Sequence, residues 1–116
     1  AQARGPAEPE CIGGFIPLAT VYAFEPVPPT LPEEKRKHIL GAQANLWTEY
    51  VLTPEHAEYM ILPRMTALSE VLWSEKEGRN WEDFQKRLQV LTQRFDAKGY
   101  RYAKYSLNFN EKKNNK

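Results

Sequence analysis

The pattern of apolar and polar residues predicts two amphipathic helices in the second half of the chain. The first begins after Thr53, because threonine is a good N-cap and Pro54 suits the first helical position. Pro63 lies inside the helical pattern and cannot donate a helical hydrogen bond, so we expect a kink or a short break there. The apolar residues of this helix recur at helical spacing, at Ala57, Met60, Ile61, Leu68, Val71 and Leu72.

The second helix is expected to begin after Asn80 and to end before Gly99. Asparagine is a favoured N-cap, and glycine suits the left-handed residue that ends many helices. We expect the two helices to pack against each other through their apolar faces. On the second helix this face is one continuous stripe with steps of three or four residues, made of Trp81, Phe84, Leu88, Leu91 and Phe95.

Outside the two helices the sequence predicts a strand, a stretch interrupted by prolines and a polar tail. Residues 39–47 form a short, largely apolar run, which is typical of a strand buried on both faces of a parallel sheet, so one strand is expected within residues 38–50. Residues 1–37 contain seven prolines, which exclude a long helix, and Val21–Phe24 is expected to be extended at most. Residues 38–109 then hold the strand and both helices, and the polar residues 110–116 are expected to form a disordered tail.

Composition and charge narrow the possible partners. The 116 residues carry 16 Lys and Arg against 15 Asp and Glu, a net charge of +1, which gives no reason to expect nucleic acid as a partner. No stretch approaches the roughly 20 apolar residues that span a bilayer.

Cys11 is the only cysteine, and neither His38 nor His56 has the partner spacing of a metal site. The chain begins without Met, which indicates a processed chain or a fragment.

Candidate chemistry lies at the end of the expected strand. Trp47 and Glu49 are two residues apart, and on a strand this spacing directs both side chains to the same face. An indole can pack on the apolar face of a pyranose while a carboxylate accepts hydrogen bonds from its hydroxyl groups. On the residues alone, a buried tryptophan beside an ion-paired glutamate is the favoured explanation of the pattern.

Several segments, in matching order and spacing, resemble the family 20 glycoside hydrolases, in particular bacterial β-N-acetylhexosaminidases. Gly41–Tyr50 is similar to the eighth strand of that family, and Leu62–Ser74 resembles the helix that follows it. Ile12–Leu18 and Val21–Pro28 are similar to the loop between the last strands. The resemblance covers about residues 8–105. It implies an α/β fold, the C-terminal fragment of a (β/α)8 TIM barrel with its last strand and following helices, mostly helical when isolated.

The resemblance implies a parent enzyme that hydrolyses terminal non-reducing N-acetylglucosamine or N-acetylgalactosamine. In such enzymes the acetamide of the substrate is the nucleophile, so the reaction is substrate-assisted and retaining, and an Asp-Glu pair orients it and donates the proton. Trp47 is implied to line the pocket beneath the sugar, and Glu49 to bind its hydroxyl groups at carbons 4 and 6. No metal and no organic cofactor are implied, and the family points to a periplasmic or secreted parent.

This chain contains no Asp-Glu dipeptide, so the resemblance implies that it lacks the catalytic residues and is inactive alone. Its partners would be the rest of the barrel and, in the parent, N-acetylhexosamine-containing glycans. A barrel strand without neighbours has two open edges, so we expect either a homo-oligomer or shielding by the N-terminal loop, which belongs to the loop-rich residues 1–37. The alternatives are a non-catalytic helical interaction module and a lectin-like domain that binds sugar without hydrolysis.

Overall fold

The computed structural model describes residues 1–2, 8–11 and 13–107, and in this part of the chain it contains helices and loops without a β-strand. Two 3-10 turns, Lys76–Gly78 and Lys104–Leu107, follow the last two α-helices. The α-helices in chain order are α1 (Leu18–Tyr22), α2 (Glu33–Arg36), α3 (Pro54–Ile61), α4 (Arg64–Trp73) and α5 (Trp81–Lys98). The expected tail, residues 110–116, lies outside the described residues.

The prediction of a strand within residues 38–50 is wrong for this structure. The central part, residues 39–48, is here called the free segment, and among the described residues its backbone is hydrogen-bonded only at its ends. Ile39 N donates to Arg36 O over 3.0 Å, and Val51 N donates to Thr48 O over 3.1 Å. A strand is held by ladder hydrogen bonds to a neighbour, and no described residue supplies one. Gly41 also has a φ of +156°, a conformation that few other residues adopt.

Local capping sets the ends of the longer helices as the sequence predicts. Thr53 Oγ1 accepts a hydrogen bond of 3.2 Å from the amide of His56, which is the N-cap geometry. The break at Pro63 is also confirmed, because α3 ends at Ile61 and α4 begins at Arg64.

The ends of α5 are equally well defined. Asn80 Oδ1 accepts a hydrogen bond of 2.9 Å from the amide of Asp83 and caps the first turn. Gly99 has a φ of +74° and ends the helix in the left-handed region, where glycine is favoured. Both helix ends therefore confirm the prediction from sequence.

Helices α1, α4 and α5 share the main hydrophobic core. Phe84, on the apolar stripe of α5, stacks on Tyr22 of α1 with a centroid distance of 4.6 Å. The buried members of this core are Leu18, Tyr22, Ala67, Val71, Phe84 and Leu88. The prediction that Val21–Phe24 is extended is wrong for its first two residues, because Leu18 and Tyr22 lie one helical turn apart and both reach the core when α1 forms.

A charged network connects the same three helices at the edge of the core. Glu70 of α4 accepts a bidentate pair of hydrogen bonds from Arg87 of α5, and its Oε1 also accepts from the Tyr22 hydroxyl at 2.8 Å. Arg87 bonds a second carboxylate, Asp83, at 2.7 Å. The Arg87 guanidinium, as the main cause, holds the pKa of Glu70 below its usual value. This network fixes the relative position of α4 and α5.

Candidate functional site

Trp47 lies on the free segment beside a cavity of about 200 Å³. Its side chain is 71% exposed, so the indole is available to a ligand and is not part of the core. The volume is below the roughly 300–1,000 Å³ of a complete small-molecule pocket. The cavity is therefore smaller than a complete small-molecule site. Its lining comprises Ala1, Glu10, Cys11, Gly14, Ile16, Asn45, Leu46, Trp47, Tyr50, Val51, Met60 and Arg64.

Three parts of the chain form this cavity. Cys11 and Ile16 come from the N-terminal loop, Trp47 comes from the free segment, and Met60 and Arg64 come from the junction of α3 and α4. The N-terminal loop and the free segment therefore both border this cavity, together with the junction of α3 and α4. They share its lining, while most residues of the segment remain exposed.

Arg64 supplies a positive charge to the cavity, whose lining also contains Ala1 and Glu10. Its guanidinium donates to the carbonyl of Met60, the residue one turn before it. Burial lowers the pKa of Arg64 from its usual value, and the carboxylate of Glu8 acts in the opposite direction. An arginine remains charged under these conditions, so the cavity presents a cation to any ligand that enters.

Glu49 does not line the cavity. It lies in an exposed turn with Tyr50, directly after the free segment. Trp47 and Tyr50 on either side of this position do line the cavity, so Glu49 is directed away from it. The structure therefore brings Trp47 to a cavity and leaves Glu49 at the surface beside it, without the strand geometry on which the shared face was predicted.

Hydrogen bonds attach the N-terminal residues to α3 beside the cavity. Gln2 is 1% exposed, and its side-chain amide donates to the carbonyls of Tyr59 and Met60, the latter over 3.1 Å. Glu8 accepts from the backbone amide of Gln2 at 2.6 Å and from the Tyr59 hydroxyl at 2.9 Å. Burial and the nearby Glu8 raise the pKa of Tyr59, so its hydroxyl stays protonated and remains a donor.

A second cavity of about 510 Å³ separates the free segment from α3 and α4. Gln43 and Asn45 line it on one side, and apolar residues such as Ile61 and Leu68 line it on the other. No hydrogen bond connects either amide side chain to a described residue. The free segment is therefore not closely packed on α3 and α4 at this position.

The described residues contain neither a metal-binding cluster nor a membrane-spanning helix. No group of three His, Cys, Asp or Glu side chains lies close enough to hold a metal ion in residues 1–2, 8–11 and 13–107. Within the same residues, no helix has the length and apolar character required to cross a membrane.

The residues around Trp47 lie inside a known catalytic domain. The family model described as "Glycosyl hydrolase family 20, catalytic domain" matches residues 1–76, about two thirds of the chain. The chain belongs to glycoside hydrolase family 20. The matched part includes the N-terminal loop, the free segment, α3 and α4, whereas α5 follows it.

Individual family 20 proteins are similar over most of this chain. A β-hexosaminidase of Porphyromonas gingivalis is 43% identical over 95 residues, which are 82% of this chain and 12% of that protein. A β-N-acetylhexosaminidase of Cellulomonas fimi is 33% identical over 77% of this chain and 18% of its own length. The chain therefore spans less than one fifth of these relatives.

A solved structure shows the same local fold. The exo-β-N-acetylglucosaminidase of Vibrio harveyi, in complex with N-acetylglucosamine, aligns with a TM-score of 0.66 and 40% identity. The alignment covers 77% of this chain and 14% of that enzyme. The helices described above are thus arranged as in a fragment of a family 20 barrel domain.

The sequence pattern made Trp47 a candidate but gave no signal for the residues across the cavity from it. Cys11 and Ile16 lie more than 30 positions before Trp47, and Arg64 lies 17 positions after it. No periodicity or short motif connects such distant positions. The contacts of Gln2 and Glu8 with α3, which hold this loop in place, appear only in the structure.

Proposed function

We propose that this chain is part of the catalytic barrel of a β-N-acetylhexosaminidase that removes terminal non-reducing N-acetylglucosamine or N-acetylgalactosamine. The reaction is substrate-assisted and retaining, with the acetamide of the sugar as nucleophile. Residues 39–48 become the last barrel strand when the other strands are present, and α3 and α4 cover it. The chain contributes Trp47 and Glu49 to the sugar site.

The observation that supports this proposal most strongly is the exposed indole of Trp47 beside a cavity within the part of the chain that matches the family. Trp47 is 71% exposed, so its indole is open to a ligand at the edge of this cavity. Sugar rings have an apolar C–H face that suits an indole. The names of the relatives, β-hexosaminidase and β-N-acetylhexosaminidase, supply the substrate class.

Glu49 has a complementary role in the proposal. A carboxylate accepts hydrogen bonds from sugar hydroxyl groups, and such charge-assisted bonds are stronger than neutral ones. In the described structure Glu49 is exposed and makes no ion pair with a described residue. Its side chain is therefore free to turn toward a sugar on Trp47 when the segment is held as a strand.

The catalytic carboxylates are not supplied by this chain. It contains two aspartates, Asp83 and Asp96, and neither precedes a glutamate. Asp83 caps α5 and bonds Arg87, while Asp96 bonds Lys104 at 3.0 Å, so both have structural partners on or near α5. The 116-residue chain alone is therefore proposed to have no hydrolase activity.

Kinetics of the complete catalytic domain that contains this chain test the role of Glu49. Glu49→Gln keeps the shape of the side chain and removes its charge. We expect kcat/KM on an aryl N-acetyl-β-glucosaminide to fall by roughly tenfold to a hundredfold, because charged hydrogen bonds contribute about 1.5–3 kcal/mol. The matched control is Glu82→Gln on the exposed face of α5, which should leave the kinetics unchanged.

Fluorescence tests the role of Trp47 separately. Addition of N-acetylglucosamine should change the tryptophan emission of the complete domain, and Trp47→Phe should abolish that change. Trp73→Phe is the control, because Trp73 is also exposed, at 91%, but lies at the end of α4 away from the cavity. Unchanged kinetics in Glu49→Gln together with an unchanged response in Trp47→Phe would refute the site assignment.

A further inference from the structure

Pro63 removes a hydrogen-bond donor from the end of α3. In a continuous helix the carbonyl of Tyr59 would accept from the amide four positions later, but that residue is Pro63, which has no N–H. The helical pattern is also interrupted between Ile61, where α3 ends, and Arg64, where α4 begins. Donors from elsewhere in the chain therefore have to satisfy the backbone carbonyls at this break.

The side-chain amide of Gln2 supplies these donors. Its Nε2 donates to the carbonyls of Tyr59 and Met60 and, over 3.4 Å, to that of Leu62. Because carbonyl oxygens only accept hydrogen bonds, they determine which end of the amide faces them. The Oε1 of Gln2 is buried and has no donor among the described residues. Gln2 is therefore held in the structure through its N–H donors.

Backbone and side-chain contacts connect Gln2 to the cavity beside Trp47. The carbonyl of Ala1, the residue before Gln2, accepts a hydrogen bond of 3.0 Å from the amide of Ile16. Ile16 in turn lines the cavity. The carboxylate of Glu8 accepts from the backbone amide of Gln2 at 2.6 Å, so a second point of the same loop is attached to this residue. The position of Gln2 therefore determines where the N-terminal loop borders the cavity.

Arg64 is attached to the same break. Its guanidinium donates to the carbonyl of Met60, which also accepts from Gln2 over 3.1 Å. Arg64 lines the cavity together with Ile16 and Trp47. One backbone carbonyl thus binds a side chain of the N-terminal loop and the cation of the cavity. Loss of the Gln2 amide is therefore expected to displace both the loop and the guanidinium.

We propose that Gln2 is a positioning residue of the sugar site. Its amide holds the N-terminal loop and Arg64 at the break between α3 and α4, and thereby fixes the lining that these two parts contribute to the cavity. Gln2 does not line the cavity itself, so it acts through Ile16 and Arg64. The inference rests on the proposed function, because it takes the cavity beside Trp47 as part of the sugar site. The attachment of the loop by one amide does not depend on hydrolase activity.

Thiol labelling of the 116-residue chain tests whether Gln2 holds the loop. Cys11 is the only cysteine, is half-buried and lies on this loop, so its rate of reaction with an aromatic disulfide reagent reports loop opening. Gln2→Met keeps an unbranched side chain of similar length and removes the N–H donors. It should raise the rate about tenfold to a hundredfold, because two or three hydrogen bonds are lost. Gln93→Met, the same change at an exposed position of α5, should leave the rate unchanged.

Two further variants separate loop opening from unfolding. Tyr59→Phe removes the hydroxyl that donates to Glu8, and it should raise the labelling rate by a smaller factor than Gln2→Met. Phe84→Leu weakens the main core, to which the loop does not contribute, and measures the labelling that global unfolding produces. The comparison is made at urea concentrations that give the variants equal free energies of unfolding. Labelling of Gln2→Met and Tyr59→Phe no faster than that of Phe84→Leu would overturn the proposal.

Kinetics of the complete catalytic domain test the effect on the sugar site, at a temperature where circular dichroism shows Gln2→Met to be folded. KM for an aryl N-acetyl-β-glucosaminide should rise about threefold to tenfold with kcat changed by less than about twofold, since a displaced lining weakens the binding of substrate and transition state alike. A residue that only stabilises the fold would leave KM unchanged. Faster Cys11 labelling with an unchanged KM therefore overturns the positioning role. If Glu49→Gln and Trp47→Phe also have no effect, the proposed function fails as well, whereas normal effects of those two changes leave it intact.

Discussion

Replacement of Phe84 by alanine tests whether α5 belongs to the same folded unit as the family 20 segment before it. Phe84 is 1% exposed and lies between Tyr22 and Trp81, with ring centroids at 4.6 and 5.7 Å. Removal of a fully buried phenylalanine costs about 3–5 kcal/mol, from lost transfer free energy and from the cavity that remains. A domain of this size has a total stability of only about 5–15 kcal/mol, so the variant should be close to unfolding.

The assay is urea unfolding of the 116-residue chain, followed by helical circular dichroism. Phe84→Leu should cost less than Phe84→Ala because it leaves a smaller cavity. Val90→Ala on the same helix is the control and should change the free energy of unfolding by less than about 0.5 kcal/mol, since Val90 is 56% exposed. If Phe84→Ala cost no more than Val90→Ala, α5 would not be packed on α1 and α4, and the described core would be wrong.

Three smaller changes test the local contacts. Asn80→Ala should cost about 1 kcal/mol in urea unfolding because the amide of Asp83 loses its acceptor. Gly99→Ala should cost about 1 kcal/mol in the same assay because alanine is strained at a φ of +74°. The pKa of Glu70 is lowered in the folded state, so its stabilising effect is present above its unfolded pKa and is lost as the pH falls through the lower folded value. Acid unfolding curves of Glu70→Gln should therefore be flatter than those of the parent below about pH 5.

The helices could be predicted from the sequence because their signals are local. Thr53, Asn80 and Gly99 act within one turn of the chain, and the apolar stripe of α5 needs only its own spacing. Pro63 breaks the helix wherever the surrounding structure places it.

The strand could not be predicted correctly because it depends on partners far away in sequence. The apolar run at residues 39–47 has the composition of a buried strand, but no described residue pairs with its backbone. The helix α1 was missed for a related reason. Leu18 and Tyr22 are helical because both reach a core built by α4 and α5, which local propensity does not include. The cavity beside Trp47 likewise joins segments that are distant in the chain.

A crystal structure of the complete catalytic domain with N-acetylglucosamine tests the proposed sugar site most directly. We expect the Trp47 ring within about 4.5 Å of the sugar ring carbons. A Glu49 carboxylate oxygen should lie about 2.5–3.0 Å from a sugar hydroxyl. A sugar bound elsewhere in the domain, or a Trp47 side chain covered by protein with Glu49 directed away from the ligand, would contradict the proposal.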